Sequence, residues 1–405
     1  MTPAVRAAKA VSALALCAGL AACGQIGGFG PTSADAPLAA PTTPVQSQPL
    51  PGVASPAGQT LGTGPVRVAL ILPLTQGSGP SVVGTSLRNA AELALADSGG
   101  QDVTIVIKDD RSTPDGAREA AQAAVAEGAE IILGPLFAAN LKEAGRVARG
   151  ANRPVIGYST DTSAAARGVY ELSFLIESYV DRIIEFAASK GKKSIAAMVP
   201  ESDYGNIALA EFQQAAARRG LRVLTIERYQ PASAAAAAQK IAALGNQIDT
   251  LFIPDQAEGM ASVSAALTAA GIGGGKVQIL GTGVWNDSRV LKYPALQGAW
   301  FATPENTGFN AFATRYRAKF NTDPTRVATL AYDAVSLISA LARTQGAQRF
   351  SEQVLTAPSG FNGADGVFRF RPDGQNERGL AVLQIGGGTV TTISPAPRSF
   401  GASGT

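Results

Sequence analysis

The sequence predicts an α/β fold made of two doubly wound parallel-sheet lobes joined by several crossover segments. Three observations predict it. From residue 66 onward, short runs dense in Val and Ile alternate with Ala- and Leu-rich segments of helical length. The short runs lack polar alternation, as expected for parallel strands buried on both faces. The alternation also comes as two tandem arrays of similar size, followed by too few elements for a third domain.

In the first array, strand-like runs 66–72 and 103–107 flank a helical segment 86–96. A helix over 114–126, a strand over 130–133, a helix over 138–148 and a strand over 154–158 follow. In the second array, helix 178–189 precedes strand 194–199, and helix 206–219 precedes strand 222–226. Helix 234–244, strand 250–253, helix 259–270 and strand 277–280 complete it. Beyond these, 309–320 and 326–343 read as helices, and 366–370 and 380–385 as strands. Crossings are expected near Phe174, Pro304 and Phe370. Lobe I then takes 65–174 with 304–365, and lobe II takes 175–303 with 366–395, leaving 396–405 as a flexible tail.

Composition removes whole classes of chemistry. The 405 residues contain no histidine, so a Ser-His-Asp triad, a Cys-His dyad and a His-ligated zinc are all excluded. The formal net charge of +3, with charges interspersed, gives no electrostatic footprint for nucleic acid. Both cysteines, Cys17 and Cys23, lie near the start. Arg6 and Lys9 precede an apolar run over 10–20 that is too short to span a bilayer and reads as a signal-peptide core.

Leu20-Ala21-Ala22-Cys23 resembles the lipobox of bacterial lipoproteins. The resemblance implies a signal peptide over 1–22 and a mature N-terminus at a lipidated Cys23, anchored to the membrane by its acyl chains. Gly24 in place of aspartate implies sorting to the outer membrane rather than the inner one. The alternative is an ordinary signal peptide cut elsewhere. Residues 23–64 are rich in Pro, Ala, Ser and Thr without apolar periodicity and read as a disordered tether.

Leu72-Pro73-Leu74-Thr75, Lys108-Asp109-Asp110, Gly134-Pro135-Leu136, Asp203-Tyr204-Gly205, Ala331-Tyr332-Asp333-Ala334 and Gly363-Ala364-Asp365-Gly366 come in this order across the alternating elements. The order and spacing resemble the type I periplasmic binding proteins, in the branch of the branched-chain amino-acid receptors. Leu280-Gly281-Thr282-Gly283-Val284-Trp285, the run from Gly298 through Trp300 to Pro304, and Glu127-Gly128-Ala129 are similar to lipoproteins that activate penicillin-binding proteins. The helical-repeat domain of the enterobacterial member is replaced here by the tether.

In doubly wound sheets, ligands bind beyond the carboxyl ends of the strands. Two facing lobes would line a cleft with Thr75, Asp110, Leu136, Ser159, Thr160, Tyr204, Asp255 and Trp285. The resemblance implies carboxylate-holding hydroxyls in the loop after the third strand, yet that loop reads Leu136-Phe137-Ala138-Ala139. A cleft retained but closed or empty is the alternative to a ligand pocket. Asp109-Asp110 reads as loop and cap structure rather than a cation site, since adjacent strand-end residues point to opposite faces. The glycines over 271–275 fail the phosphate-loop pattern because Val277 follows Lys276. Ser189-Lys190-Gly191-Lys192 reads as a helix end rather than a catalytic S-x-x-K, because no Lys-Thr-Gly exists.

The resulting expectation is a non-enzymatic, lipid-anchored envelope protein without metal or cofactor, regulating a peptidoglycan synthase (a penicillin-binding protein). The alternative is a lipid-anchored receptor delivering an amino acid or related small molecule to an ABC transporter.

Overall fold

The computed structural model describes residues 59–400, apart from 274 and 276. The expected signal peptide, Cys23 and most of the tether lie outside the described residues, as does the end of the tail. Among the described residues no helix is long and apolar enough to cross a membrane.

The first sheet has the order Thr60–Leu61, Val103–Asp109, Val66–Leu72, Ile131–Leu133, Val155–Gly157, Val169–Glu171. All neighbours run parallel except the first strand, which is antiparallel. Alternation of side chains along Val66–Leu72 explains the two covered faces. Val68, Leu70 and Leu72 join Leu87, Ala90 and Ala94 of helix Val82–Asp97 on one side. On the other, Ala69 and Ile71 meet Ala121 and Ala124 of helix Pro114–Ala126 and Leu141 and Ala144 of helix Ala138–Gly150. The first two helices start where the sequence provides a cap: Ser81 accepts from Gly84 N–H and Thr113 from Gly116 N–H.

The second sheet has the order Arg222–Tyr229, Ser194–Pro200, Thr250–Phe252, Gln278–Gly281, Trp300–Thr303, Ala381–Gly386, Thr389–Ser394. Its first five strands are parallel and the last two antiparallel. Helices Ile176–Ser189 and Asp203–Arg218 cover one face. Helices Ala234–Ala242 and Met260–Ala269 cover the other. The molecule therefore has the two doubly wound lobes that the alternation predicts.

Helices Asn306–Phe320 and Ala328–Thr344 return to the first sheet, where Phe312, Tyr316, Leu330, Val335 and Ile338 share the core of Leu87 and Ala91. Two boundaries differ from expectation. The folded body begins by Gln59 rather than at residue 65: Thr60 and Leu61 pair with Val106 and Ile105, and Leu61 packs on the core. The outer edge of strand Val103–Asp109 needs partners for its backbone, and this short strand supplies them. Pro-, Ser- and Thr-rich composition concealed it.

The second difference concerns 366–395, expected in lobe II. Strands Phe361–Gly363, Gly366–Phe370 and Asn376–Arg378 form their own antiparallel sheet. Phe368 and Phe370 lie in the first lobe's core, with Phe370 against Tyr170 at 5.4 Å between ring centroids. The chain enters the second sheet only at Ala381, so this passage falls after Arg378, not near Phe370. Ring burial decided it, since each large apolar side chain moved from water contributes roughly 1.5–3 kcal/mol.

The passages between lobes are tied to one another. Asn376 Nδ2 and Arg378 Nε both donate to the carbonyl of Ser173, at 3.0 and 3.2 Å. Arg326 donates twice to Asp365, at 3.0 and 2.6 Å, and its guanidinium lies 4.5 Å from the Phe174 ring and 4.6 Å from that of Phe309.

Candidate functional site

In each lobe the candidate residues follow the carboxyl ends of neighbouring parallel strands. In the first, Thr75, Asp110, Leu136, Ser159 and Thr160 come from the loops after four adjacent strands. Several are already committed to building those loops. The Asp109 carboxylate accepts from Leu74 N–H at 3.0 Å, Thr75 N–H at 3.2 Å, the Thr75 hydroxyl at 2.7 Å and Arg111 N–H at 2.8 Å. Asp110 is fully buried and accepts from Asn140 Nδ2 at 2.9 Å and Ser112 N–H at 2.8 Å. Burial holds its pKa above the usual carboxylate range, against the opposing effect of those hydrogen bonds. The aspartate pair thus staples two loops. The helix cap itself is Thr113.

Ser159 is buried, and its hydroxyl accepts from Asp161 N–H at 3.0 Å. Thr160 is exposed, and its hydroxyl has no partner among the described residues. Leu136 is half-buried against the core. Phe137 is 37% exposed and starts helix Ala138–Gly150 without a side-chain cap. An apolar ring therefore stands where a hydroxyl would cap the helix.

In the second lobe, Tyr204 and the buried Thr282 share a hydroxyl–hydroxyl hydrogen bond of 2.6 Å. Burial raises the pKa of Tyr204, so the phenol stays protonated at neutral pH. Tyr229 donates its hydroxyl to Asp255, whose other carboxylate oxygen accepts from Gln256 N–H at 2.7 Å. Asp255 is nearly buried, and that desolvation raises its pKa despite the hydrogen bonds.

Trp285 corrects an expectation. It is fully buried in the second lobe's core and does not line a cleft. Gly281 makes the space: a Cβ there would lie 2.2 Å from the indole. The indole N–H donates to the Asp255 carbonyl at 3.0 Å, satisfying a donor that burial would otherwise strand. Its role is to hold the Asp255 loop.

Among the described residues no hydrogen bond joins the first-lobe set to the second-lobe set. Sequence reading missed Thr282, Asn140 and Tyr229. Thr282 lay inside a motif already singled out, but the partners of all three come from distant segments. Among the described residues no group of three or more Asp, Glu, Cys or His could hold a metal ion.

A groove of about 810 Å³ lies elsewhere, between helices Ile176–Ser189 and Asp203–Arg218 and the segment 371–380. All five of its arginines have carboxylate partners: Arg182 with Glu185, Arg218 with Asp181 and Glu211, Arg219 with Asp181, Arg371 with Asp373 and Arg378 with Asp333.

Comparison with known proteins places this geometry. A family model described as periplasmic binding protein matches residues 65–389. Among solved structures, the chain resembles a protein described as a branched-chain amino-acid ABC transporter from Rhodospirillum rubrum. The TM-score is 0.71 at 21% identity, covering 81% of this chain and 99% of that one. A solute-binding protein of an ABC transporter from Rhodopseudomonas palustris, in complex with 3,4-dihydroxybenzoic acid, gives 0.59 at 20% identity over 83% and 97%. A branched-chain amino-acid substrate-binding protein from Streptococcus pneumoniae, in complex with isoleucine, gives 0.57 at 18% identity over 82% and 99%. These identities speak to the fold alone. No curated protein matches.

Proposed function

The chain belongs to the periplasmic binding protein family, and from that premise we propose that it is a non-enzymatic solute-binding receptor of an ABC transporter. Its solute is an amino acid or a related small molecule. The observation that carries this reading is the pair of doubly wound sheets whose strand-end loops keep an unspent recognition group, the free Thr160 hydroxyl. Lipidation of Cys23 would hold it on the periplasmic face of the envelope, with outer-membrane sorting following from Gly24.

The resolving experiment is calorimetry with leucine, isoleucine, valine, benzoate and 3,4-dihydroxybenzoate, backed by a thermal-shift panel of other small solutes. Saturable binding of one compound supports the receptor. No stabilisation by any compound removes it.

One observation favours a second reading, regulation of a penicillin-binding protein. The loop Leu136-Phe137-Ala138-Ala139 presents apolar side chains where an amino-acid carboxylate needs donors. Co-purification of a peptidoglycan synthase, together with a solute panel that shows no binding, would support it.

A further inference from the structure

Three carboxylates flank the stretch where the chain first passes between the lobes. Glu171 ends the edge strand Val169–Glu171, and Glu177 lies in the first turn of helix Ile176–Ser189. Asp161 caps the short turn Thr162–Ala164. Glu171 is fully buried, and both of its carboxylate oxygens lack a hydrogen-bond partner. Glu177 accepts from the Thr162 hydroxyl at 3.3 Å, a bond from a first-lobe turn to a second-lobe helix. Its other oxygen is buried without a partner. Asp161 accepts from the Ser163 N–H at 3.0 Å and the Ser163 hydroxyl at 2.6 Å.

The surroundings supply little compensating charge. The charged groups facing Glu171 are Asp161, Glu177 and Lys142, and the Lys142 ammonium is bonded to the Ser163 hydroxyl at 2.9 Å. Glu177 also faces Glu211, which is paired with Arg218. The covering segment brings backbone to Glu171: the Gly374 carbonyl accepts from its N–H at 2.8 Å, while Arg371 and Asp373 pair with each other. Asn376 and Arg378 of that segment are directed to Ser173.

A carboxyl group in such a place is tolerable as a neutral acid. As an anion it would lose hydration, gain no hydrogen bond and face two like charges. We infer that the first passage between the lobes is a pH-sensitive latch, in which neutral Glu171 lets the Thr162–Glu177 bond hold the lobes together and ionised Glu171 loosens it. Burial, with Asp161 and Glu177 adding to it, pushes Glu171 up to about 8, so the loosening grows as pH rises towards that value. The latch acts on the passage between lobes, beyond solute recognition, and its test needs no solute.

The test is amide hydrogen exchange on the full chain and on Glu171→Gln, from about pH 6 to about pH 9. The two proteins are compared at each pH, so base catalysis of exchange cancels. Near pH 6 the segments 158–178 and 369–378 should exchange alike in both. Near pH 9 they should exchange roughly tenfold faster in the native chain, while strand Ser194–Pro200 stays equal. A ratio that does not change with pH, or loosening that persists in the variant, overturns the latch. Should the variant fail to fold, the native chain decides: protection of 158–178 that is constant over this range, after correction for intrinsic rates, overturns it as well.

Discussion

Replacing Gly281 by alanine tests whether the second lobe's strand-end loops are held by the tryptophan beneath them. The added Cβ would lie 2.2, 2.3 and 2.5 Å from three atoms of the Trp285 ring. Carbon atoms in contact sit about 3.5–4.0 Å apart, so the ring must retreat by more than ~1 Å. Trp285 is fully buried, and its N–H already spans 3.0 Å to the Asp255 carbonyl. Retreat therefore adds loss of a buried hydrogen bond, about 1–3 kcal/mol, to an overpacking cost of about 1–3 kcal/mol. The expected destabilisation is about 2–6 kcal/mol, with the Asp255 loop displaced. Urea denaturation followed by tryptophan emission measures it, in a Trp300→Phe background that leaves Trp285 as the sole reporter. The control is Gly386→Ala in the same sheet, where the new Cβ meets nothing within 4 Å, with an expected effect within about 0.5 kcal/mol. A Gly281→Ala protein as stable as its parent, with unchanged emission, would refute the reasoning.

Other predictions follow from the same contacts. Glu171 has its pKa raised from 4.5 to about 8 on folding. Native stability relative to Glu171→Gln should therefore be fully present below about pH 4.5 and fall as pH rises to about 8, by at most about 5 kcal/mol; denaturation midpoints that shift equally in both proteins would contradict this. Tyr204→Phe should cost about 1–2 kcal/mol, because it leaves the buried Thr282 hydroxyl unpaired, as read by thermal melting. Free leucine, isoleucine and valine should not bind more tightly than about 10 µM, and Phe137→Ser should strengthen binding of a carboxylate solute roughly tenfold; calorimetry decides both. Cys23→Ser should move the protein from the membrane to the soluble fraction, and continued membrane association would reject lipidation.

The alternation of runs such as Val66–Leu72 and Ser194–Pro200 with their covering helices was legible because burial on both faces leaves one composition and one period for each element. Helices Asn306–Phe320 and Ala328–Thr344 were equally legible as helices, from the runs 309–320 and 326–343. What composition hid were strands held by position rather than by pattern. Thr60–Leu61 has two residues, too few to show any period, and exists because an exposed sheet edge needs partners. The strands around Phe368 read as strands, yet their lobe was decided by which core had room for the rings of Phe368 and Phe370, a question of volume between distant segments.

The site was legible as a location and less so as a chemistry. Parallel strands place their carboxyl-end loops at the crevice, so position alone nominates every polar residue there. Most of those groups are consumed in holding the loops: Thr75 by Asp109, Asp110 by Asn140, Ser159 by Asp161 N–H, and Asp255 by Tyr229. A donor hydrogen or lone pair engaged inside the protein gives little net affinity to a solute that competes for it, whereas the Ser159 hydroxyl, which only accepts, keeps its own hydrogen to donate. Under the proposed receptor reading, recognition would rest on donors and acceptors still open, and such vacancy is a property of three-dimensional partners that no spacing along the chain encodes. By that criterion the Thr160 hydroxyl and the Ser159 hydroxyl hydrogen outrank Asp110 and Asp255 as candidates.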